Sequence, residues 1–375
     1  MMMPVMLIFG GCTFLQILIY GIFFSRLVRY KPLQFVRKNL DKPAVGVSVI
    51  ICARNEEGNI RQHLGYFLTQ NYAAPFEVVV VDDGSTDGSR AYLEELEQIY
   101  PNLRTVRLSS KAFHGKKEAL TLGISVAKYD VLLLSDADCR PAGPDWLAAM
   151  AGALAPGREI VLGFSPYARS RGMLNAFIRF EGIYTAIQYF SFALAGIPYM
   201  GVGRNLMYRK GLFLRSGGFE AHRQRASGDD DLFVNMAANQ SNTAINLEPG
   251  AFVWSLPQTT WRGYFRQKTR HFSTGIHYRL IHKALLAIIA LTHSLHYASG
   301  ILLVFMPGYG EVAITGYLVR IVVVLAVNFA LFRKFSAPDL WKWAPLTDAL
   351  LPLYYLVFSW GIFAGRSPAW KDEQR

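Results

Sequence analysis

The chain has 375 residues, 52% of them hydrophobic, and a formal net charge of +12. That length allows one large domain or two small ones and buries a sizeable core. The charge suits anionic lipid headgroups; no aromatic–basic recognition motif accompanies it, so no nucleic-acid partner is expected, and the three cysteines, Cys12, Cys52 and Cys139, lack metal-type spacing and read as cytoplasmic free thiols.

In chain order, residues 4–24 carry no charge and are long enough to span a bilayer. No basic n-region precedes them and no small-residue cleavage site follows, so an anchor is expected and not a signal peptide. Arg26, Arg29, Lys31, Arg37 and Lys38 come directly after, which places the start outside and residue 26 onward in the cytoplasm. Val45–Cys52 reads as a buried strand, followed by Ala53–Glu57 and a helix to Leu68. Phe76–Val81 is a second strand, Asp87–Gln98 its helix, Leu103–Leu108 a third strand, Gly115–Ala127 a helix and Val131–Ser135 a fourth strand. Strands alternating with helices predict βαβ units, an α/β fold and a parallel sheet. The second strand ends in Asp82-Asp83-Gly84-Ser85-Thr86-Asp87 and the fourth in Asp136-Ala137-Asp138. Two strands ending in carboxylates predict one acidic cleft at the carboxyl edge, where open α/β sheets bind ligands. Such carboxylate pairs hold Mg2+ or Mn2+ against phosphate oxygens, pointing to a nucleotide diphosphate compound. Ser85 or Thr86 also serves as a helix N-cap, a role compatible with ligand contact by a neighbouring acid.

After Pro141 the alternation fades. Gly172–Ala195 is helix-compatible, with Phe177, Phe180, Tyr184, Ile187, Phe190 and Leu194 at helical spacing, either as a core face or as an interfacial helix. Gly201–Asn205 lacks the third glycine of a dinucleotide loop and follows no predicted strand. Thr260–His282 is basic and aromatic, as suits a water–membrane boundary. Apolar stretches follow at about 284–306, 312–332 and 346–364. Arg320 within the second is expected to snorkel, line a cavity or mark an interfacial helix, and the topology after residue 306 stays open. His293 and His296 read as packing or hydrogen-bonding residues, since no acidic or sulfur ligand accompanies them. The predicted organisation is an anchor at 1–25, a cytoplasmic domain at 40–283 and a membrane region of about three helices at 284–375.

The ordered set ARNEE, VVVVDDGSTD, GKKEAL, LLLSDAD, GDDDL and Gln267-x-x-Arg270 resembles the inverting family 2 glycosyltransferases of GT-A fold. Among them it is similar to the membrane-bound cellulose, hyaluronan and ceramide glucosyltransferase type, over roughly residues 45–275. The resemblance implies a GT-A nucleotide-sugar-binding (Rossmann-like) domain with transmembrane helices at both ends. It implies donor contacts from Arg54, Glu56, Asp82, Asp83, Lys116, Asp136, Gln267 and Arg270, with Asp138 as the direct metal ligand and Asp136 on the ribose or the metal. It places the acceptor-deprotonating base at Asp230 or Asp229, in a run of acids (with Asp231) that raise each other's pKa. The family's Gln-x-x-Arg-Trp ends here in His271, on the acceptor side, and Arg54 stands where relatives have an aromatic or small residue. The implied function is Mg2+- or Mn2+-dependent transfer from a UDP-sugar to a lipid or lipid-linked acceptor, by an integral protein of the cell inner or plasma membrane, alone or with an oligomeric or accessory partner. A processive polysaccharide synthase is the alternative; a catalytically silent nucleotide-sugar-binding partner is the alternative of another class.

Overall fold

The computed structural model describes residues 2–31, 45–112 and 115–363, so Arg37, Lys38 and the terminal RSPAWKDEQR lie outside the described residues. The chain divides into two compact units. One comprises Lys31–Arg169 and Phe192–Gln258; the other comprises Met1–Tyr30, Ser170–Ser191 and Thr259–Arg366.

The first unit is built on strands β1 (Val47–Ala53), β2 (Phe76–Asp82), β3 (Leu103–Arg107) and β4 (Val131–Asp136). The Val, Ile and Leu runs of β1, β2 and β4 are buried, as a parallel sheet covered by helices requires, whereas the edge strand β3 mixes apolar and charged residues and is only partly buried. Short strands follow: β5 (Cys139–Pro141), β6 (Ile160–Leu162), β7 (Leu206–Arg209), β8 (Thr243–Ile245) and β9 (Val253–Ser255). The main sheet runs β3-β2-β1-β4-β7-β6-β8, and β5 pairs with β9 in a second sheet. The β1, β2, β3 and β4 pairings are parallel, whereas β7 is antiparallel to both β4 and β6. The strands after Pro141 escape sequence reading because three or four residues show too little periodicity. Trp146 anchors this core, edge-on to Phe67 at 5.4 Å with its indole N–H donating to Asn205 Oδ1 at 3.1 Å.

The chain steps outward from β1 to β2 and β3, then returns to place β4 on the other side of β1. The strand order therefore reverses between β1 and β4, and the crevice at their carboxyl ends is the natural ligand site.

In the second unit, three helices among the described residues are long and apolar enough to cross a membrane: Met3–Arg29, Leu280–Val304 and Gly310–Lys334. The first contains a π-helical turn, Ile19–Phe24, that buries Tyr20 and Phe24. Its last carbonyls, on Leu27, Val28 and Tyr30, accept from the Lys334 ammonium. The last apolar stretch folds as the helix Ala344–Phe363, which contains Pro352 and a buried Asp348. Arg320 does not snorkel. It is fully buried and donates to both Asp348 carboxylate oxygens (2.6 and 3.1 Å) and to Gln16 Oε1 (3.1 Å). A charge in an apolar interior is tolerable only when paired, and Asp348 supplies the pair. Tyr297 donates to Asp348 at 2.7 Å, His293 Nε2 lies 3.0 Å from the Asp348 carbonyl, and His296 Nδ1 lies 2.9 Å from Thr13 Oγ1. Both histidines are thus packing and hydrogen-bonding elements.

The predicted 172–195 helix forms as Met173–Leu194, and its aromatic stripe is a core face, with Phe180, Tyr184, Ile187 and Phe190 buried. Its two charges are both paired: Arg179 bidentate with Asp339 (2.7 and 2.8 Å), and Glu181 with Lys268.

Candidate functional site

The β1 register sets the site. Ala53 pairs with Asp82 and Cys52 with Asp136, so the two strand-end acids flank the end of β1 from opposite sides. Asp82 is buried; its Oδ1 accepts from Ser85 N–H at 2.9 Å, and its Oδ2 has no hydrogen-bond partner among the described residues. A buried acceptor in that state is what a ligand hydroxyl or N–H satisfies. Asp83 is buried and ion-paired with Lys111.

The segment after β1 is stitched to the segment after β2. Asn55, at φ 53°, donates its N–H to Ser85 Oγ (3.0 Å) and accepts from Thr86 N–H (2.8 Å). Glu56 donates its N–H to Ser89 Oγ at 3.1 Å and its carboxylate accepts from Asn59. Arg54 is half-buried one residue past β1. The helix after β2 begins at Ser89 with Gly88 as N-cap, later than a Ser85 or Thr86 cap implies. Those residues serve the loop pairing instead. Asp87 supports the helical turn by accepting from Ser89 N–H (3.0 Å) and receives Glu57 N–H (3.1 Å). Burial works against its charge, but these hydrogen bonds hold the carboxyl below its ordinary value.

Asp136 ends β4, and Cys139 begins β5 three residues on. Oxygen atoms of Asp136 and Asp138 and the Cys139 sulfur all lie within 4.8 Å of one another. Burial and then the Asp136 charge push the Asp138 carboxyl up, a repulsion that a cation relieves. The fully buried Cys139 thiol donates to Asp138 Oδ1 at 3.4 Å and is held protonated by burial and by both carboxylates. Two converging carboxylates beside a protonated thiol form a hard oxygen set, which fits Mg2+ or Mn2+. Lys116 pairs with Asp136. Burial opposes its charge, yet Asp136, helped by Asp229, holds its ammonium above the usual lysine value. One buried lysine therefore pairs with an acid of the D-x-D pair and is held charged in part by an acid of the 229–231 run.

That run lies at a helix start. Gly228 has φ +99°, and a Cβ there would sit 2.5 Å from Leu232 Cδ1. Asp230 is the N-cap of the helix Asp231–Ala237. Its Oδ1 accepts from Asp231 N–H at 2.8 Å and its Oδ2 from Gly203 N–H at 2.7 Å. Burial, then the charges of Asp229 and Asp231, push the Asp230 carboxyl up to about 7. Asp231 is buried and accepts from Leu232 N–H at 2.8 Å. Of the three acids, Asp230 thus combines a fixed orientation with a proton affinity near neutrality.

Gly203 and Arg204 were not singled out by the sequence. Gly203 holds Asp230, and the Arg204 carbonyl accepts from Ser135 Oγ at 3.0 Å, one residue before the D-x-D pair. The Arg204 guanidinium lies 4.6 Å from the centroid of the Tyr167 ring. The glycine-rich run was the available signal; its contacts are long-range and invisible to spacing.

Gln267, Arg270 and His271 belong to the second unit, on the helix Trp261–Gly275, which Thr260 caps by accepting from Gly263 N–H at 3.1 Å. Gln267 Oε1 is buried with no hydrogen-bond partner among the described residues, Arg270 is half-buried and His271 is exposed. Lys268, between the motif residues, is buried against Glu181.

Residues 48–215 match the family described as Glycosyl transferase family 2. The chain is 28% identical over 245 residues to "Probable glycosyltransferase YdaM" of Bacillus subtilis, covering 62% of this chain and 56% of that protein. It is 30% identical over 136 residues to the beta-monoglucosyldiacylglycerol synthase of Nostoc sp., covering 36% of this chain and 28% of that protein. The chain thus spans little more than half the length of the first of these curated relatives and less of the second. Among solved structures, mannosyltransferase PcManGT from Pyrobaculum calidifontis in complex with GDP-Man and Mn2+ matches with a TM-score of 0.58 at 19% identity, over 94% of this chain and 99% of that one. At that identity the likeness is one of fold. Residues 48–215 thus match a Glycosyl transferase family 2 domain, and the chain carries it on a mixed α/β sheet of GT-A type.

Proposed function

We propose that the chain is an inverting, metal-dependent glycosyltransferase that moves a sugar from a UDP-sugar to a lipid or lipid-linked hydroxyl at the cytoplasmic face of a membrane. The observation that carries this reading is the arrangement around Lys116. Its ammonium is ion-paired with Asp136 of the D-x-D pair and feels the charge of Asp229, the neighbour of an Asp230 held at about 7.

In this reading Arg54, Glu56, Asp82 and Asp83 hold the nucleoside, and the unpartnered Asp82 Oδ2 accepts one of its N–H or O–H groups. Asp138 and Asp136 would hold the Mg2+ or Mn2+, which supplies charge neutralisation to the departing diphosphate. Lys116 adds a fixed positive charge beside the same acids, and the family resemblance assigns Gln267 and Arg270 to the donor. Asp230 takes the proton of the acceptor hydroxyl. At neutral pH about half of it is deprotonated, which balances availability against basicity. The N–H groups of Gly203 and Asp231 fix its carboxylate, so proton transfer costs little reorientation. The family resemblance assigns His271 to the acceptor.

A lipid acceptor is supported by the three apolar helices and by the relative named as a monoglucosyldiacylglycerol synthase. A divalent ion with a nucleotide sugar is supported by the mannosyltransferase solved with GDP-Man and Mn2+. Addition of one or a few sugars is supported by Arg320: the charge within the apolar helices is taken up by Asp348 and Gln16, as a packing element and not as the lining of a polymer channel. The test is nucleotide release by the purified full-length chain with Mn2+, a panel of nucleotide sugars and membrane lipids, wild type against Asp230→Asn. Release by wild type and its loss in the variant support catalysis; equal release overturns Asp230 as the base, and none from either while nucleotide still binds points to a silent binding protein.

A further inference from the structure

Lys117, the neighbour of Lys116, is not used by the mechanism above, yet it is buried. Its ammonium donates to three backbone carbonyls: His222 (3.0 Å), Arg225 (2.6 Å) and Ser227 (2.6 Å). An ammonium has three donors, so its hydrogen-bonding capacity is filled by one loop. That loop runs into Gly228, Asp229 and Asp230. A second contact joins the same two segments. Gly115 has φ +111°, and a Cβ there would lie 2.6 Å from the Ala226 carbonyl oxygen. The chain before the helix Lys117–Val126 is thus pressed against the loop, while the preceding lysine grips Asp136.

We propose that Lys117 is a positioning residue for the acceptor-activating loop: it fixes residues 222–227 and through them Asp230. The role of Asp230 in this inference rests on the glycosyl-transfer reading; the gripping of the loop does not. Lys117→Met keeps the buried stem and removes the three donors, leaving three carbonyls unmatched. Lys117→Arg keeps the charge but cannot present three donors to one triangular cup.

The test uses the full-length chain in detergent, with UDP and Mn2+ as the binding probe. For Lys117→Met, UDP·Mn2+ affinity is expected to stay within about threefold of wild type, while transfer falls roughly a hundredfold, as for a displaced catalytic group. Amide exchange across 222–231 should accelerate by about tenfold or more, with β1 and β4 unchanged. Lys116→Met should give the opposite split: UDP·Mn2+ binding about tenfold weaker, with protection of 222–231 retained. Where the Met variant fails to fold, Lys117→Arg is expected to show the Lys117→Met pattern. Unchanged exchange in 222–231 in a folded Lys117 variant overturns the proposal, as does faster exchange throughout β1–β4 with equal loss of UDP binding, which marks a general folding role. If wild type transfers nothing, the glycosyl-transfer reading fails by itself, and the exchange comparison still decides whether Lys117 holds the loop.

Discussion

Replacing Asp230 by Asn removes the proposed base while keeping its size and one of its two hydrogen bonds, because the amide has a single acceptor oxygen for the Gly203 and Asp231 N–H groups. With a carboxyl at about 7, the deprotonated fraction is roughly 9% at pH 6 and roughly 91% at pH 8. Wild-type kcat at saturating donor and Mn2+ should therefore rise about tenfold between those values and level off above. Asp230→Asn should lose roughly 10²- to 10⁴-fold in transfer, the range for a general base, and should lose the pH dependence with it. Its UDP·Mn2+ affinity should be unchanged, because Asp230 is tied to Gly203 and Asp231 and not to the D-x-D pair. Stability should move the other way. The folded-state value lies above the ordinary 3.8, so the folded chain keeps a proton that the unfolded chain releases as pH rises from about 4 to 7. Stability from this group is full below about 4 and falls until pH passes about 7. The step corresponds to at most ~4 kcal/mol, less after solvent screening. Asp230→Asn should gain stability relative to wild type between pH 5 and pH 8, read as a growing difference in Tm. A variant retaining more than a tenth of wild-type transfer, or a wild-type rate flat from pH 5.5 to 8, would refute the assignment.

Asp138→Asn should weaken Mn2+ binding at least about tenfold by calorimetry, and chelation of the ion should stop transfer by wild type, since the carboxylate pair is left with half its charge. Asp348→Asn should cost ~3–5 kcal/mol in detergent melts by stranding the buried Arg320, and replacing Arg320 by Met in the same chain should recover part of the loss. Gly228→Ala should cost ~1–3 kcal/mol, because φ +99° and the Leu232 side chain both oppose a Cβ, with transfer falling before UDP binding does. A cysteine introduced at Arg104, within the domain read as cytoplasmic, should resist an impermeant reagent in intact cells and react after permeabilisation.

What was legible in the sequence shared one physical cause. β1, β2 and β4 each contain a run of four or more apolar residues; Asp82 follows its run directly and Asp136 follows one residue later. Asp82 and Asp136 could therefore be placed at one edge before any coordinates, and the β1 register bears that out. What stayed hidden depends on contacts across many residues. Asn55 meets Ser85 and Thr86, Lys117 meets the 222–227 carbonyls, and Gly203 meets Asp230; none of these pairs leaves a periodic trace. The choice among Asp229, Asp230 and Asp231 was open for the same reason, since only the fold shows which one is an N-cap held by two N–H groups. Arg320 was read from its helix alone, where snorkelling is the usual escape, whereas its partner Asp348 lies 28 residues away. The β6, β7 and β8 strands form because neighbours already present supply the ladder, so three or four residues suffice.

The most direct test is the product itself: purified full-length chain, Mn2+, a radiolabelled UDP-sugar panel and extracted membrane lipid, with the product sized and partitioned. The account predicts a mobile, lipid-extractable species carrying one or a few sugars, absent with Asp230→Asn or after chelation of the ion. A high-molecular-weight, lipid-free polysaccharide made by the single chain, or transfer undiminished without the ion, would contradict it.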